Sequence, residues 1–302
     1  MTRSARLQRL RTTLLCALAC VMIASPAATQ GPSRAKVVAE VSLRPPPGLR
    51  SHSLRFPWDG QLLRGMRLRE SQYVRYVPEY VPTGRFYGTW ELVQLLERAA
   101  RRVGFRLPGA KLSMGEISSE RGGDIGGHRS HESGRDADVG FFMTDPQGRP
   151  YSGQSFAEFD GNGRGLAPNG GLRFDDARNW ELVAKLVNDA DARVQYIFVS
   201  HALRQRLLQE AARRGASAEL ISRAAALLVE PAHGNPHRSH FHVRVYCAPA
   251  DRPLCKDVAP FWPWYPSPAH EGGLAAENGH THAPSTLLSS PFGSAAPHPA
   301  FD

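Results

Sequence analysis

Six of the twelve histidines in this 302-residue chain fall in two short segments. His128 and His131 stand in GGHRSHESGRDADVG with Asp136 and Asp138, and His233, His237, His240 and His242 stand in HGNPHRSHFHVRV. Imidazole and carboxylate are the ligands a catalytic zinc ion takes, three from protein with the fourth position left to water. In an extended strand residues two apart face one side, so Asp136 with Asp138, and His240 with His242, would each point into one pocket. Each segment can then present two groups to a shared ion. A lone histidine is more often structural, and His52, His201 and His233 are read that way.

Strands and helices must bring the two segments together. Ala137 to Phe142 has strand character and follows a Gly-rich loop, Arg121 to Gly134. Phe241 to Tyr246 reads as a strand, as does Val194 to Val199. Leu92, Leu95, Leu96 and Ala99 recur at helical spacing in a helix from Trp90 to Val103, with Gly104 as its stop. Further helices are expected from about Asp175 to Val187 and from His201 to Arg214, and short strands from Phe56 to Pro82. This order, without regular βαβ alternation, predicts a single α+β domain: an antiparallel sheet carrying the zinc site and flanked by helices.

The start of the chain reads as an export signal over residues 1–27: Arg3, Arg6, Arg9 and Arg11, an apolar run from Leu14 to Ala24, then Ser25-Pro26-Ala27-Ala28. The run is too short to span a bilayer, and no later one is long enough. Cys20 after Leu18-Ala19 faintly resembles a lipoprotein cleavage site, but Ala17 stands where a larger aliphatic residue belongs, so secretion to the periplasm or medium is preferred. Cys247 and Cys255 then remain as an isolated pair in an oxidising compartment, which predicts a disulfide. The formal charge of +9 falls to about +5 without the signal arginines. Those that remain are scattered among acids and apolar residues, which argues against nucleic acid and for loose contact with an anionic polymer.

Residues 28–50, ending in Pro45-Pro46-Pro47-Gly48, read as a flexible leader, 51–261 as the domain and 262–302 as a disordered low-complexity tail. The aromatic cluster Phe261 to Tyr265 is expected to dock on the domain surface.

The spacing His131-x6-Asp138 followed by His240-x-His242 resembles the metal signature of the LAS metallopeptidases, named for lysostaphin-type enzymes, D-Ala-D-Ala metallopeptidases and hedgehog domains. Within that group, Gly127-His128-x2-His131-x2-Gly134-x-Asp136-x-Asp138 and His237-x2-His240-x-His242-Val243-Arg244 are similar to the motifs of the penicillin-insensitive murein endopeptidases. Phe86-Tyr87-Gly88, Glu91-Leu92-Val93 and Ile197-Phe198-Val199 extend the likeness over roughly Ser51 to Cys255. The resemblance implies that His131, Asp138 and His242 bind Zn2+, and that His240 is a catalytic base or oxyanion donor rather than a ligand. It also places His128 and His237 behind the ligands or at the substrate. Asp136 either hydrogen-bonds a ligand histidine or caps a turn.

The implied activity is zinc-dependent cleavage of peptide cross-links in peptidoglycan (murein), at the D-alanyl to diaminopimelyl amide. The alternatives are a D,D-carboxypeptidase or dipeptidase of the same superfamily, or a catalytically silent cell-wall-binding module. Some relatives carry a Glu just before the final HxH pair, where Pro236, Arg238 and Ser239 stand here; its absence favours the endopeptidase branch, and Glu230 is given no role. His131-Glu132 is not a helical HExxH motif, because Arg135 stands four residues on. Gly122, Gly123, Gly126 and Gly127 lack the Lys-Ser/Thr of a phosphate loop and read as a mobile cleft wall. Arg121, Arg129 and Arg135 are read as solvated surface arginines.

Overall fold

Alternating side chains in Asp136–Gly140 and His240–Val245 divide the protein into an apolar side and a cleft side. In a computed structural model, residues 47–266 are described. The expected export signal, all but the end of the expected leader, and residues 267–302 of the expected tail lie outside the described residues. Six strands form the main sheet: β1 (Val74–Tyr76), β2 (Leu112–Met114), β3 (Asp136–Gly140), β4 (Val194–Phe198), β5 (Leu228–Val229) and β6 (His240–Val245). Their order is β5-β4-β6-β3-β2-β1.

The three central pairings are antiparallel as expected, but β5 lies parallel to β4 and β1 parallel to β2, so the sheet is mixed at its edges. Strand β6 sets His242 opposite Asp138 and Arg244 opposite Asp136. Ala137, Val139, Phe241, Val243 and Val245 join the fully buried core. The intervening Asp136, Asp138, His240, His242 and Arg244 take the other face.

Helices α1 (Trp90–Arg106), α2 (Asp176–Val187), α3 (His201–Arg213) and α4 (Ala218–Leu227) supply most of the remaining core. Thr89 caps α1 by accepting from the Leu92 N–H at 3.4 Å, and Asp175 caps α2 by accepting from the Arg178 N–H at 3.0 Å. Gly104 does not stop α1, which runs to Arg106. A Cβ at Gly104 would stand 2.5 Å from Tyr73 Cδ1, so the glycine makes room for that ring. Helix α4 was not foreseen. Ser217 caps it, accepting from the Leu220 N–H at 3.2 Å.

A hairpin, His52–Phe56 with Asp59–Leu63, is clasped by the end of the domain: the Arg55 N–H donates to Leu254 O at 2.8 Å and the Lys256 N–H to Arg55 O at 2.9 Å. The predicted Cys247–Cys255 disulfide is present, with an S–S distance of 2.03 Å. Trp262, assigned to the tail by composition, instead donates its indole N–H to Gln195 O at 2.9 Å, and the Trp262 and Trp264 rings pack against the core. The aromatic cluster therefore docks as expected, and the packed chain continues beyond residue 261. No helix among the described residues is long and apolar enough to cross a membrane.

Candidate metal centre and its cleft

Strands β3 and β6 deliver Asp138, His240 and His242, and the loop before β3 delivers His128 and His131. His131 holds a left-handed backbone, φ 77°, an uncommon conformation for a residue with a side chain. Its Nδ1–H donates to Ile117 O at 2.6 Å. That bond fixes the tautomer and leaves the Nε2 lone pair facing inward. His242 is set the same way by a different partner: its Nε2–H donates to Asp136 Oδ1 at 2.8 Å, leaving the Nδ1 lone pair facing inward. Asp136 thus orients a histidine rather than capping a turn, and it also accepts from Arg244 Nε at 2.6 Å.

Three electron-pair donors consequently face one another. His131 Nε2 lies 3.3 Å from His242 Nδ1 and 3.4 Å from Asp138 Oδ1, and His242 Nδ1 lies 3.2 Å from the same oxygen. In the neutral tautomers that these bonds favour, no ring proton lies between the two nitrogens. Asp138 Oδ1 is buried without a hydrogen-bond partner. Three ligands of a tetrahedral ion at about 2.0–2.2 Å stand roughly 3.3–3.6 Å apart, so this triangle fits a divalent cation with mixed nitrogen and oxygen ligands.

His128 joins the cluster as well: His128, His131 and Asp138 present donor atoms within 4.8 Å of one another. His242 makes the tighter triangle, since His128 Nδ1 is 3.8 Å from Asp138 Oδ2. His128 Nε2–H donates to Glu116 Oε2 at 2.7 Å. That bond outweighs burial and raises the His128 imidazole.

Glu116 is a site residue that motif reading missed. Burial pushes its carboxyl up, but the hydrogen bonds from His128 and Thr83 and the nearby Arg85 hold it below its usual value. Its only signal in sequence is an acidic residue in a segment that also becomes buried, which no spacing rule marks.

The charges are consistent with this reading. Burial opposes ionisation of Asp138, yet His131 and His240 hold it well below the usual carboxylate range. Burial likewise opposes ionisation of Asp136, and Arg244 and His242 hold it low. For His242, burial opposes the charged form, but the Asp136 and Asp138 carboxylates raise it to about 9, so a proton competes with a cation for Nδ1 and a bound metal displaces it. His237 goes the other way: burial beside His242 and His240 pushes it down to about 3, so it stays neutral at ordinary pH.

The cluster forms the floor of a cleft of about 410 Å³ that His237, His240, Trp58, Tyr80 and Arg129 help to line. His240 stands beside the triangle, its Nε2 3.5 Å from Asp138 Oδ1 and its Nδ1 hydrogen-bonded to Ser239 Oγ at 2.9 Å.

Several sequence readings change here. His233 lines the cleft wall, whereas His52 is structural as expected, paired with Asp251 at 2.7 Å. Glu230 accepts from the backbone N–H of His201, where α3 begins, and stays outside the cleft. Gly127 lines the cleft, but Gly122 is packed in, bridged to Gln61, and a Cβ there would stand 2.1 Å from Glu132 O. Arg135 is not a surface arginine; it is 1% exposed and turned away from the cleft.

Comparison with known proteins agrees with the motifs. The family model for penicillin-insensitive murein endopeptidases matches residues 72–272. That span holds every histidine of the cleft but not the hairpin of residues 52–63. A penicillin-insensitive murein endopeptidase of Haemophilus influenzae is 33% identical over 181 residues, covering 58% of this chain and 57% of that protein. One from Klebsiella pneumoniae is 31% identical over 179 residues, 58% of this chain and 59% of its own. One from Escherichia coli is 30% identical over 179 residues, 57% and 58% respectively. The chain thus spans less than three fifths of the length of these curated relatives.

Proposed function

This chain belongs to the penicillin-insensitive murein endopeptidase family, and from that premise we propose that it is a zinc metallopeptidase that hydrolyses peptide cross-links of peptidoglycan. The observation that carries the reading is the triangle of His131 Nε2, His242 Nδ1 and Asp138 Oδ1, with edges of 3.2–3.4 Å, at the floor of an open cleft. We assign these three residues as the Zn2+ ligands. When bound, the ion supplies Lewis acidity: it lowers the pKa of water and polarises the scissile carbonyl.

The protein's own groups do the rest. Asp136 holds the His242 ring in the tautomer that turns Nδ1 inward, as outer-shell carboxylates do for metal-binding imidazoles. Glu116 does the same for His128. His240 is not assigned to the ligand triangle; it lines the cleft with its Nε2 3.5 Å from Asp138 Oδ1, and we assign it as the group that takes a proton from the attacking water and passes it to the leaving amine. Neutral His237, its Nδ1–H held by Asn235 O at 2.7 Å, lines the same wall and is placed to contact substrate.

The bond we propose is the D-alanyl to diaminopimelyl amide. Residues 1–27 act as an export signal, so the enzyme works in the periplasm or medium, where its substrate is. The test is to incubate the protein with purified cross-linked muropeptide dimers, with and without chelator, and to follow products by mass spectrometry. Monomers that form, stop on chelation and return with zinc are the expected result, and their new ends identify the bond. Release of terminal D-Ala from intact dimers would replace this reading with a carboxypeptidase, and bound zinc without any cleavage would replace it with a binding module.

A further inference from the structure

His240 is held differently from the histidines beside it. His131 and His242 are each fixed by a ring N–H donated to a buried acceptor. His240 has the neighbouring Ser239 hydroxyl on Nδ1 and only a 3.5 Å approach to Asp138 Oδ1 at Nε2, and an aromatic face lies against its plane. Phe156 stacks on it with ring centroids 4.8 Å apart and planes 19° apart.

The Phe156 ring has a made seat. A Cβ on Gly115 would stand 2.7 Å from Phe156 Cζ, and one on Gly140 would stand 2.8 Å from Phe156 Cε1. Neither glycine has a positive φ, so what these positions need is the missing side chain and not backbone freedom. The space left beside the ring is about 10 Å³, no more than one water. Tyr80 also packs against Phe156, with centroids 5.1 Å apart and the planes tilted by 46°.

The loop that carries the ring is pinned on both flanks. Arg75 donates to Gly153 O at 3.1 Å, the Glu79 N–H to Gln154 O at 3.1 Å, and the Phe159 N–H to Arg238 O at 3.0 Å. Arg238 lies just before His240 in the chain, so the loop and the histidine segment are tied together directly.

We propose that Phe156 is a positioning residue for His240. Its ring, seated between Gly115 and Gly140, sets the plane of the imidazole without occupying a ring nitrogen, as a stacked aromatic contact can. A base that must accept a proton and give it back keeps Nε2, the nitrogen that Ser239 does not engage, available this way. The inference rests on the reading of His240 as the proton-moving group of an amide hydrolase.

The test compares wild type with Phe156→Leu on muropeptide dimers, with bound zinc measured in each and the His240 ring resonances followed by NMR. Phe156→Leu is expected to lower kcat by about 10- to 100-fold, the scale of a reacting group misplaced by about 1 Å. KM should change by less than about threefold, as for a residue that acts only in the chemical step. Zinc content should be unchanged, and the single set of His240 resonances should split or broaden in the Leu variant.

An unchanged kcat in Phe156→Leu overturns the inference, and so does a loss of kcat that tracks a loss of zinc. If wild type cuts no dimers, the hydrolase reading has failed on its own. The resonances then decide: splitting in Phe156→Leu upholds the positioning role, and a single unshifted set overturns it.

Discussion

Arg135 and Asp138 are near neighbours in sequence, both withdrawn from solvent, and the fold treats them in opposite ways. Arg135 is 1% exposed, and its donors are taken: Nε by the Ser53 and Ser133 hydroxyls, one terminal nitrogen by Asp257 at 2.7 Å, the other by Lys256 O at 3.0 Å. Burial pushes its guanidinium down, and Asp257 and Asp136 push it back up. Around Asp138 the count does not close. Its Oδ1 and Asp136 Oδ2 are buried without hydrogen-bond partners, and two imidazole lone pairs face the first of them. A buried charge left incomplete is costly, so a fold that keeps one has another use for it. The saturated cluster reads as structure, and the incomplete one as a place for a cation.

That contrast is broken or sharpened by treating the two clusters alike. Asp138→Asn should abolish zinc binding and lower hydrolysis by more than the roughly 10- to 100-fold that loss of an outer-shell partner costs. Ligand binding stabilises the folded state by mass action, so chelator should lower the melting temperature of wild type and leave that of Asp138→Asn where it is. Equal shifts in both proteins would mean that no cation sits at this carboxylate.

Asp257→Ala is the mirror experiment. It strands the Arg135 guanidinium, and removing one partner of a buried pair costs about 3–5 kcal/mol. The denaturant midpoint should fall accordingly, while zinc content per folded chain stays the same. A variant that lost zinc and kept its stability would undo the division between the clusters.

The parts of this arrangement that were legible in sequence are those that depend on periodicity. DADVG and HFHVRV alternate, and alternation places Asp138 and His242 on one face however the strands pair. The stripe Leu92, Leu95, Leu96, Ala99 fixes α1 in the same way. What could not be read depends on contacts between distant segments. Gly104 looks like a helix stop until Tyr73 is seen packed against it. The parallel edges of the sheet are short strands, too brief to show a pattern of their own. Arg135 looks like a surface charge because its acceptors come from residues 53, 256 and 257. Glu116 and Phe156, which hold His128 and His240, belong to no motif; each is defined by one neighbour brought from another part of the chain.

Asp189 offers the smallest and cleanest test of the same contrast, because it is a buried carboxylate that the protein completes without a metal. It accepts from Arg98 at 2.9 and 2.7 Å and from the backbone N–H groups of Asp191 and Ala192, both at 3.1 Å. Burial pushes its carboxyl up, but Arg98 and these bonds hold it below its ordinary value. A carboxylate whose folded pKa is depressed stabilises the protein at pH above its unfolded value, about 3.9, and loses that contribution as pH falls through the folded value. Asp189→Asn should therefore cost about 1.5–3 kcal/mol at neutral pH, the scale of charge-assisted hydrogen bonds. The gap from wild type should narrow as pH drops below about 4. Because its partners are all protein groups, the gap at neutral pH should be the same in zinc and in chelator. A gap that chelator changed would tie Asp189 to the cation site and blur the line between the two kinds of buried charge.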